Sequence, residues 1–379
     1  MQKRINFAQY IGFIAIGMVS SIYGPMISTI RQNIPMNYQE TGLILSSRSL
    51  GMLLIVILSS LFIEKVGIKK YLLCGGAFLF LGLVGNALSG QYAFLFVSTL
   101  IIGLGYGMYE VGINALRADS SHVNPGRAMN YLHFFFSAGV VLGPLLATIS
   151  LNAIKSWRFG FLGLAILPLV TSIQFASLQP YQSSISTPKK DNPFRYLFLW
   201  FLGITVFMYV GIEAAIYNWL PVFWETTGKD SSFPSSLTTS IYGISVTIGR
   251  VLLGSLPDRL GFSRCLVLTA LCSIIIMVGC CFLPGSTLPL VGLLGLVISI
   301  VFPVIMAWGT SSFSGWVGQI SSFFFIFSPL GGFLVPAYVG KVADSLGIEV
   351  LPFVILILVI GLFIFSLLAW RLSPMKKYL

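Results

Sequence analysis

The chain is a succession of long apolar segments separated by short polar turns. A membrane-spanning helix needs about 20 mainly apolar residues, and twelve segments are close to or above this length. They are residues 6–30, 40–62, 71–89, 92–116, 128–151, 157–178, 195–224, 235–257, 264–283, 287–309, 317–341 and 349–373. Only helices and closed barrels satisfy every backbone group in lipid, and these runs are too long for barrel strands. The pattern predicts an all-α polytopic membrane protein with twelve transmembrane helices.

One polar break is longer than the others. Residues 179–194 are rich in Ser, Pro and Lys, a composition typical of a flexible connection. This break predicts a cytoplasmic linker between an N-terminal six-helix bundle, residues 1–178, and a C-terminal six-helix bundle, residues 195–379.

A charged turn occurs twice, 194 positions apart, beginning at Ser60 and at Gly254. Repeated blocks of six helices are typical of one class of membrane carrier, so the duplication favours two pseudo-symmetric bundles. In each copy an acid at a helix end precedes basic residues that can pair with it or with neighbouring helix termini. We interpret the turn as a gating motif that latches the cytoplasmic side in one state, with a plain topology anchor as the alternative. The motif residues are Glu64, Lys65 and Gly67 in the first copy and Gly254, Asp258, Arg259, Gly261 and Arg264 in the second.

Composition and charge agree with a membrane location. The chain is 56% hydrophobic and only 9% charged, whereas about a quarter of the residues of a soluble domain are charged. Of the 22 Lys and Arg residues, fifteen fall on the side of the termini and the linker and five on the other side. We therefore predict a protein of the plasma membrane with both termini in the cytoplasm, by the positive-inside rule. The net charge of +11 is explained by basic residues in the cytoplasmic loops, and no nucleic-acid partner is expected.

Four charged residues lie well inside the apolar runs, away from their ends: Arg48, Glu110, Glu213 and Arg250. A charge near the bilayer centre costs at least about 2.5 kcal/mol, so such residues usually line a cavity or pair with one another. In the fourth run a stripe of small residues continues into Glu110 and Asn114, which should face a central cavity. Glu110 is predicted to couple protons, with a structural salt bridge to Arg48 or Arg117 as the alternative.

The seventh run places Glu213 between two phenols at helical spacing. Such a setting can bind hydroxyl-rich or cationic solutes, and Glu213 is the second predicted proton-coupling residue. Arg48 and Arg250 are predicted charge partners or structural contacts. The predicted substrate-binding residues are Asn114, Tyr209, Tyr217, Asn218 and Trp219.

The duplicated turn resembles the GxLxDRxGRR loop signature of the major facilitator superfamily. The order of the other motifs resembles the branch that contains fucose, galactose and glucose proton symporters. These motifs are Tyr209-Val-Gly-Ile-Glu213 before Trp219, Glu110-Val-Gly-Ile-Asn114, Gly249-Arg250 and Phe302-Pro303. In that family the fourth-span Glu is tied to proton-coupled sugar transport. Fucose-permease-like members have a second acidic residue in the first helix, whereas residues 6–30 here contain no Asp or Glu. A proton relay of two carboxylates would therefore have to use Glu110 and Glu213. The alternatives are a sodium-coupled or an uncoupled mechanism.

The expected function is secondary active transport by alternating access, with proton-coupled uptake of a monosaccharide or similar small polar solute. The alternative is proton-coupled efflux of cationic amphiphiles or drugs. We expect no enzyme activity, because the chain shows no phosphate loop, nucleophile elbow or metal-ligand spacing. The expected partners are the solute, a proton or sodium ion and the lipid bilayer, with no cofactor, no metal and a monomeric state.

Overall fold

The structure is a computed structural model, and it describes residues 2–120, 125–177, 192–227, 233–283, 287–313 and 315–374. All of its regular elements in these ranges are helices. The α-helices are α1 (Gln2–Ser21), α2 (Tyr23–Asn33), α3 (Tyr38–Leu88), α4 (Tyr92–Ser120), α5 (Pro125–Asn152), α6 (Trp157–Phe175), α7 (Leu197–Thr227), α8 (Thr238–Leu253), α9 (Leu256–Leu260), α10 (Phe262–Phe282), α11 (Thr287–Ile298), α12 (Val301–Ser312), α13 (Val317–Leu346) and α14 (Leu351–Leu372). Short 3₁₀ turns cover Pro193–Arg195, Ser235–Leu237 and Ile348–Val350.

Within the described residues these helices form eleven candidate membrane spans, and a bent pair makes a twelfth. The bent pair, α1 and α2, is the first span, and the two parts of α3, Tyr38–Ser59 and Lys65–Leu88, are the second and third. Helices α4 to α8 are the fourth to eighth spans, α10 the ninth, α11 with α12 the tenth, and α13 and α14 the last two. The predicted all-helical, twelve-span architecture is confirmed.

The first span differs from the straight helix that its apolar run predicts. Its two parts meet at an angle of 50°, with Ile22 at the break. Pro25 lies in the first turn of α2 and has no N–H to give to the carbonyl of Ser21, four residues before it. A proline in this position interrupts a helix, which accounts for the bend.

The two copies of the charged turn adopt the same backbone conformation. Gly67 has φ 77° and ψ 154°, and Gly261 has φ 79° and ψ 155°. A positive φ is costly for residues with a Cβ atom, so glycine recurs at this point of both turns for a conformational reason. Each turn reverses the chain between two spans on the same side of the molecule as the end of α6 and the start of α7. We call this the linker side and the opposite side the far side. Residues 178–191, which include most of the predicted linker, lie outside the described residues.

The two six-span halves meet along a seam that is closed on the far side. Across the seam α3 packs on α13, α5 on α8 and α2 on α7. The hydrogen bonds that cross it include Tyr38 to Asp344 and Thr148 with Ser236 near the far-side ends. Of the hydrogen bonds that join the two halves through described residues, the one from Arg250 to Ser137 lies closest to the linker side. The halves are therefore held together from mid-depth to the far side.

Candidate functional site

The first half contributes an arginine, a phenol and a carboxylate at mid-depth. Gly103 lets α3 and α4 come into backbone contact, since a Cβ there would lie 2.0 Å from the carbonyl oxygen of Arg48. The Arg48 guanidinium carbon lies 5.0 Å from the ring centroid of Tyr106, within the range of a cation–π interaction. Glu110 follows one helical turn after Tyr106 and is only 8% exposed. Arg48 acts electrostatically on both side chains.

The other predicted partner of Glu110 is engaged elsewhere. Arg117 donates hydrogen bonds to Oδ1 of Asn6, at 3.2 Å, and to the hydroxyl of Tyr10, at 3.0 Å. Arg48 is thus the arginine that the structure places in electrostatic reach of Glu110.

Asn114 has a free acceptor. Its Nδ2 donates to the carbonyl oxygen of Glu110 at 2.8 Å, whereas its Oδ1 is buried with no hydrogen-bond partner. Buried polar atoms without partners are rare, and each needs a structural or functional explanation. An unmet acceptor beside a buried carboxylate is a suitable anchor for a hydroxyl group of a ligand.

The second half builds a matching cluster on α7. Glu213 is half-buried and lies one turn from Tyr209 and one turn from Tyr217, so both phenols share its helix face. Arg250 of α8 acts electrostatically on the carboxylate and on the two phenols. The Tyr242 ring meets the Tyr217 ring edge-on, with centroids 5.3 Å apart. The hydroxyl of Tyr242 is buried without a hydrogen-bond partner, and the hydroxyl of Tyr209 lies beside the Glu213 carboxylate and the Arg250 guanidinium.

The two clusters adjoin across the seam. Tyr106 of the first half and Tyr217 of the second are close enough to interact electrostatically. Nη1 of Arg250 donates to Oγ of Ser137 on α5 at 2.6 Å, which connects the halves at mid-depth. We call this combined group the central site. Its members are Ser20, Arg48, Tyr106, Glu110, Asn114 and Ser137 in the first half and Tyr209, Glu213, Tyr217, Tyr242 and Arg250 in the second.

Two of the predicted substrate-binding residues already have partners in the helix packing. Nε1 of Trp219 donates to the carbonyl oxygen of Pro336 at 3.2 Å, and its ring lies 6.1 Å from the ring of Tyr38. Trp219 is fully buried and packs on residues of α3 and α13. Nδ2 of Asn218 donates to the carbonyl oxygen of Ala214 at 2.8 Å. These contacts favour a packing role for Trp219, and its role in substrate binding stays a prediction.

The gating motif lies away from the central site, on the linker side. Lys65, Asp258, Arg259 and Arg264 are exposed. The side chain of Glu64 lies outside the described residues. Gly67 and Gly261 supply the positive-φ turns, and a Cβ on Gly254 would meet only Arg250 of its own helix. In this conformation the described charged residues of the motif lie on exposed surface of the linker side.

Four members of the central site are not among the residues predicted from the sequence. Tyr106 does have a sequence signal, because it precedes Glu110 by four positions, as Tyr209 precedes Glu213. Ser20 and Ser137 have none. Ser20 meets the hydroxyl of Tyr106 at 3.1 Å and Ser137 meets Arg250, contacts that depend on how distant helices pack. Tyr242 likewise enters the site through the packing of α8 on α7.

The chemistry of the central site suits a small neutral solute with several hydroxyl groups. It offers carboxylates, phenols, an amide acceptor and two arginines within a mostly apolar protein. Among the described residues, no three His, Cys, Asp or Glu side chains are grouped so that they could hold a metal ion.

Two curated relatives match most of the chain. The glucose/mannose transporter GlcP of Bacillus subtilis is 22% identical over 348 residues, which cover 87% of this chain and 86% of GlcP. The sodium-dependent glucose transporter 1A of Mus musculus is 23% identical over 386 residues, with 87% and 88% covered. A shorter match is the quinolone resistance protein NorA of Staphylococcus aureus, 26% identical over 199 residues, with 51% of this chain and 50% of NorA covered.

Solved structures share the fold over nearly the whole length. A D-xylose–proton symporter superposes with a TM-score of 0.79 at 14% identity, covering 99% of this chain and 98% of the symporter. The fucose–proton symporter of E. coli superposes with a TM-score of 0.69 at 17% identity, covering 96% and 98%. The sequence model of the Major Facilitator Superfamily matches residues 10–336. Together with the duplicated turn and the two six-span halves, this match shows that the chain belongs to the major facilitator superfamily.

Proposed function

We propose that this protein is an alternating-access carrier that brings a monosaccharide into the cytoplasm together with a proton. The observation that carries the proposal is the central site, in which carboxylates from opposite halves each lie beside phenols and an arginine. Relatives named for glucose transport match the chain over most of its length. Transport, rather than catalysis, is the activity that such a site supports.

The two glutamates have different surroundings and take different roles in the proposal. Glu110 is the more buried carboxylate, and ionising it in an occluded carrier leaves charge deep in the protein. We assign it the coupling proton, because neutralising it removes the cost of closing the halves around the site. Glu213, half-buried between Tyr209 and Tyr217, is assigned to sugar hydroxyls and to Arg250.

The linker side is the cytoplasmic side in this proposal. Fifteen of the 22 Lys and Arg residues belong to that side, as expected from the positive-inside rule. Both termini then face the cytoplasm, and the far side faces outward. With its seam closed on the far side, the structure represents the inward-facing state of the cycle. A single chain contains both halves of the site, so a monomer is sufficient for transport.

Uptake into proteoliposomes tests the assignment. A Glu110→Gln variant should lose accumulation driven by a proton gradient but keep sugar exchange at equal pH, because exchange needs no net proton movement. Glu349→Gln, which changes an exposed glutamate on the far side, is the matched control and should behave as the unmodified protein. Gradient-driven accumulation that persists in Glu110→Gln would remove Glu110 from the coupling step. Accumulation that follows a sodium gradient instead would replace the proton by sodium.

Efflux of cationic amphiphiles is the second candidate function. The NorA match covers about half of the chain, and an acidic site rich in aromatic residues also suits organic cations. Dye extrusion from cells distinguishes the two functions. A sugar importer should leave dye retention unchanged, whereas a drug exporter should lower it in a way that depends on Glu110 or Glu213.

A further inference from the structure

Two acidic residues occupy the far-side ends of helices in the second half. Asp344 lies two residues before the end of α13, and Glu225 lies two residues before the end of α7. The C-terminal end of a helix carries partial negative charge, so an acid in its last turn is unfavourable for that helix. The positions of both acids are explained by partners in the other half.

The partner of Asp344 is the N-terminus of α3. Oδ1 of Asp344 accepts from the backbone N–H of Tyr38 at 2.8 Å, and Oδ2 accepts from the N–H of Gln39 at 3.0 Å. These bonds join positions 306 and 305 apart in the sequence and cross the seam between the halves. A carboxylate that receives two N–H donors at a helix N-terminus also interacts favourably with the positive end of the helix dipole.

Helix α3 caps its remaining N-terminal donors within its own half. Oδ1 of Asn37 accepts from the N–H of Glu40 at 2.7 Å, and Oε2 of Glu40 accepts from the N–H of Asn37 at 2.9 Å. The N–H of Thr41 donates to the carbonyl oxygen of Asn37 in the first helical hydrogen bond. The capping box therefore leaves the N–H groups of Tyr38 and Gln39 as the two that depend on Asp344.

The surrounding backbone holds these two groups in register. A Cβ on Gly340 would lie 2.4 Å from the carbonyl oxygen of Tyr38 and 3.0 Å from Cα of Gly42, so α3 and α13 touch one turn before Asp344. Nε of Arg31 donates to the carbonyl oxygen of Met36 at 3.2 Å, and its guanidinium lies 4.1 Å from the Tyr38 ring centroid. The loop before α3 is thus fixed and presents the helix N-terminus to Asp344.

Glu225 makes an analogous contact on another part of the seam. Its Oε2 accepts from the hydroxyl of Ser28 in the first half, and its Oε1 accepts from the hydroxyl of Ser235 in its own half at 2.6 Å. Both acids therefore belong to the second half, and in this conformation, with the far side closed, both bind donors of the first half.

We propose that Asp344 is a gating residue of the transport cycle, which locks the far side closed by capping the N-terminus of α3 and releases it when the halves part. Glu225 is an auxiliary contact of the same lock. The capping box lets α3 stay helical after release, so the lock opens without unwinding the helix. This inference depends on alternating access between two halves and is independent of the substrate and the coupling ion.

The experiment measures the width of the far side directly. Spin labels at Gln32→Cys and Ser345→Cys, exposed positions in opposite halves, report the far-side distance by double electron–electron resonance after the five native cysteines are replaced by alanine. Asp344→Asn should raise the ratio of far-side-open to far-side-closed molecules about tenfold, equivalent to about 1.4 kcal/mol. Glu349→Gln, an exposed far-side glutamate outside the seam, should leave the ratio unchanged.

A backbone variant separates the lock from other effects of losing a charge. Gln39→Pro removes one of the two N–H donors at a position where proline is tolerated because no helical hydrogen bond is lost, whereas Gln39→Ala keeps the donor. Gln39→Pro should shift the distance distribution in the same direction as Asp344→Asn, and Gln39→Ala should not. Equal distributions for Asp344→Asn and the unmodified protein, or equal shifts for Gln39→Pro and Gln39→Ala, would overturn the proposal. No substrate is added, so the result is independent of whether the carrier transports sugar.

Discussion

Gly24 offers a direct test of the seam, because it lies between the halves where no side chain fits. A Cβ at this position would lie 2.0 Å from the carbonyl oxygen of Tyr217 and 3.1 Å from that of Asn218. Relief of the first contact needs a separation of about 1 Å between α2 and α7, since non-bonded heavy atoms do not approach so closely. In Gly24→Ala the two halves must therefore move apart at this point.

The cost is estimated from what overpacking does in protein interiors. An extra methyl group in a tightly packed position costs about 1–3 kcal/mol. Here the cost falls only on the far-side-closed state, because α2 and α7 belong to different halves. A difference of this size changes the ratio of two conformations by about 5–150-fold. Gly24→Ala is expected to move the protein toward the far-side-open state.

Gly17→Ala is the matched control, in the same span and with the same kind of clash. Its Cβ would lie 2.2 Å from the carbonyl oxygen of Phe136, within the first half. This substitution should lower the thermal unfolding midpoint and leave the far-side distance unchanged, whereas Gly24→Ala should lengthen that distance. Spin-label distances across the far side and thermal unfolding of purified protein give the two readouts. If Gly24→Ala only lowers stability, as Gly17→Ala is expected to do, the seam does not open at α2 and α7 and the reasoning is refuted.

Two further predictions concern the fold. Trp219→Phe removes the hydrogen bond to Pro336 and should lower the free energy of unfolding by about 1–3 kcal/mol. Sugar affinity, measured by isothermal titration calorimetry, should stay unchanged, and a large loss of affinity would show that Trp219 contacts the sugar. Gly67→Ala and Gly261→Ala force a Cβ onto a backbone with positive φ and extended ψ, a region that is essentially restricted to glycine, so each should cost about 1–3 kcal/mol in thermal unfolding. Gly90→Ala, with open space around it, should have little effect.

The apolar pattern was sufficient to predict the twelve spans, because the bilayer fixes the length and polarity of each one. It did not predict the bend at Ile22. Pro25 is present in the sequence, but a proline near a helix end is compatible with a bent helix and with the first turn of a straight one. The pattern of the charged turn predicted a repeated turn, and Gly67 and Gly261 do share one backbone conformation.

The candidate site was predicted only where one helix carries the signal. Periodicity along α4 and α7 identified Glu110, Asn114, Tyr209 and Glu213, since residues four apart share a face. Ser137 meets Arg250 across two halves, and no spacing in a single sequence encodes such a contact. Trp219 follows the same motif but turns toward α13, because its direction is set by the packing of α7 on neighbouring helices.

The pairing of charges within each half bears on how a carrier without an acid in its first span can couple to a proton. Arg48 acts on Glu110 and Arg250 on Glu213, so each ionised cluster is close to neutral and can be buried at lower cost than a lone charge. On the proposed scheme, protonation of Glu110 leaves the charge of Arg48 without its carboxylate partner, beside Tyr106 at the seam. A bound hydroxyl group can then accept from that arginine, which makes sugar binding and protonation favour each other without a second acid in the first span. Arg250, which already reaches Ser137 in the other half, shows that an arginine of the site can bridge the seam in this conformation. The arginines are therefore as much a part of the coupling scheme as the glutamates.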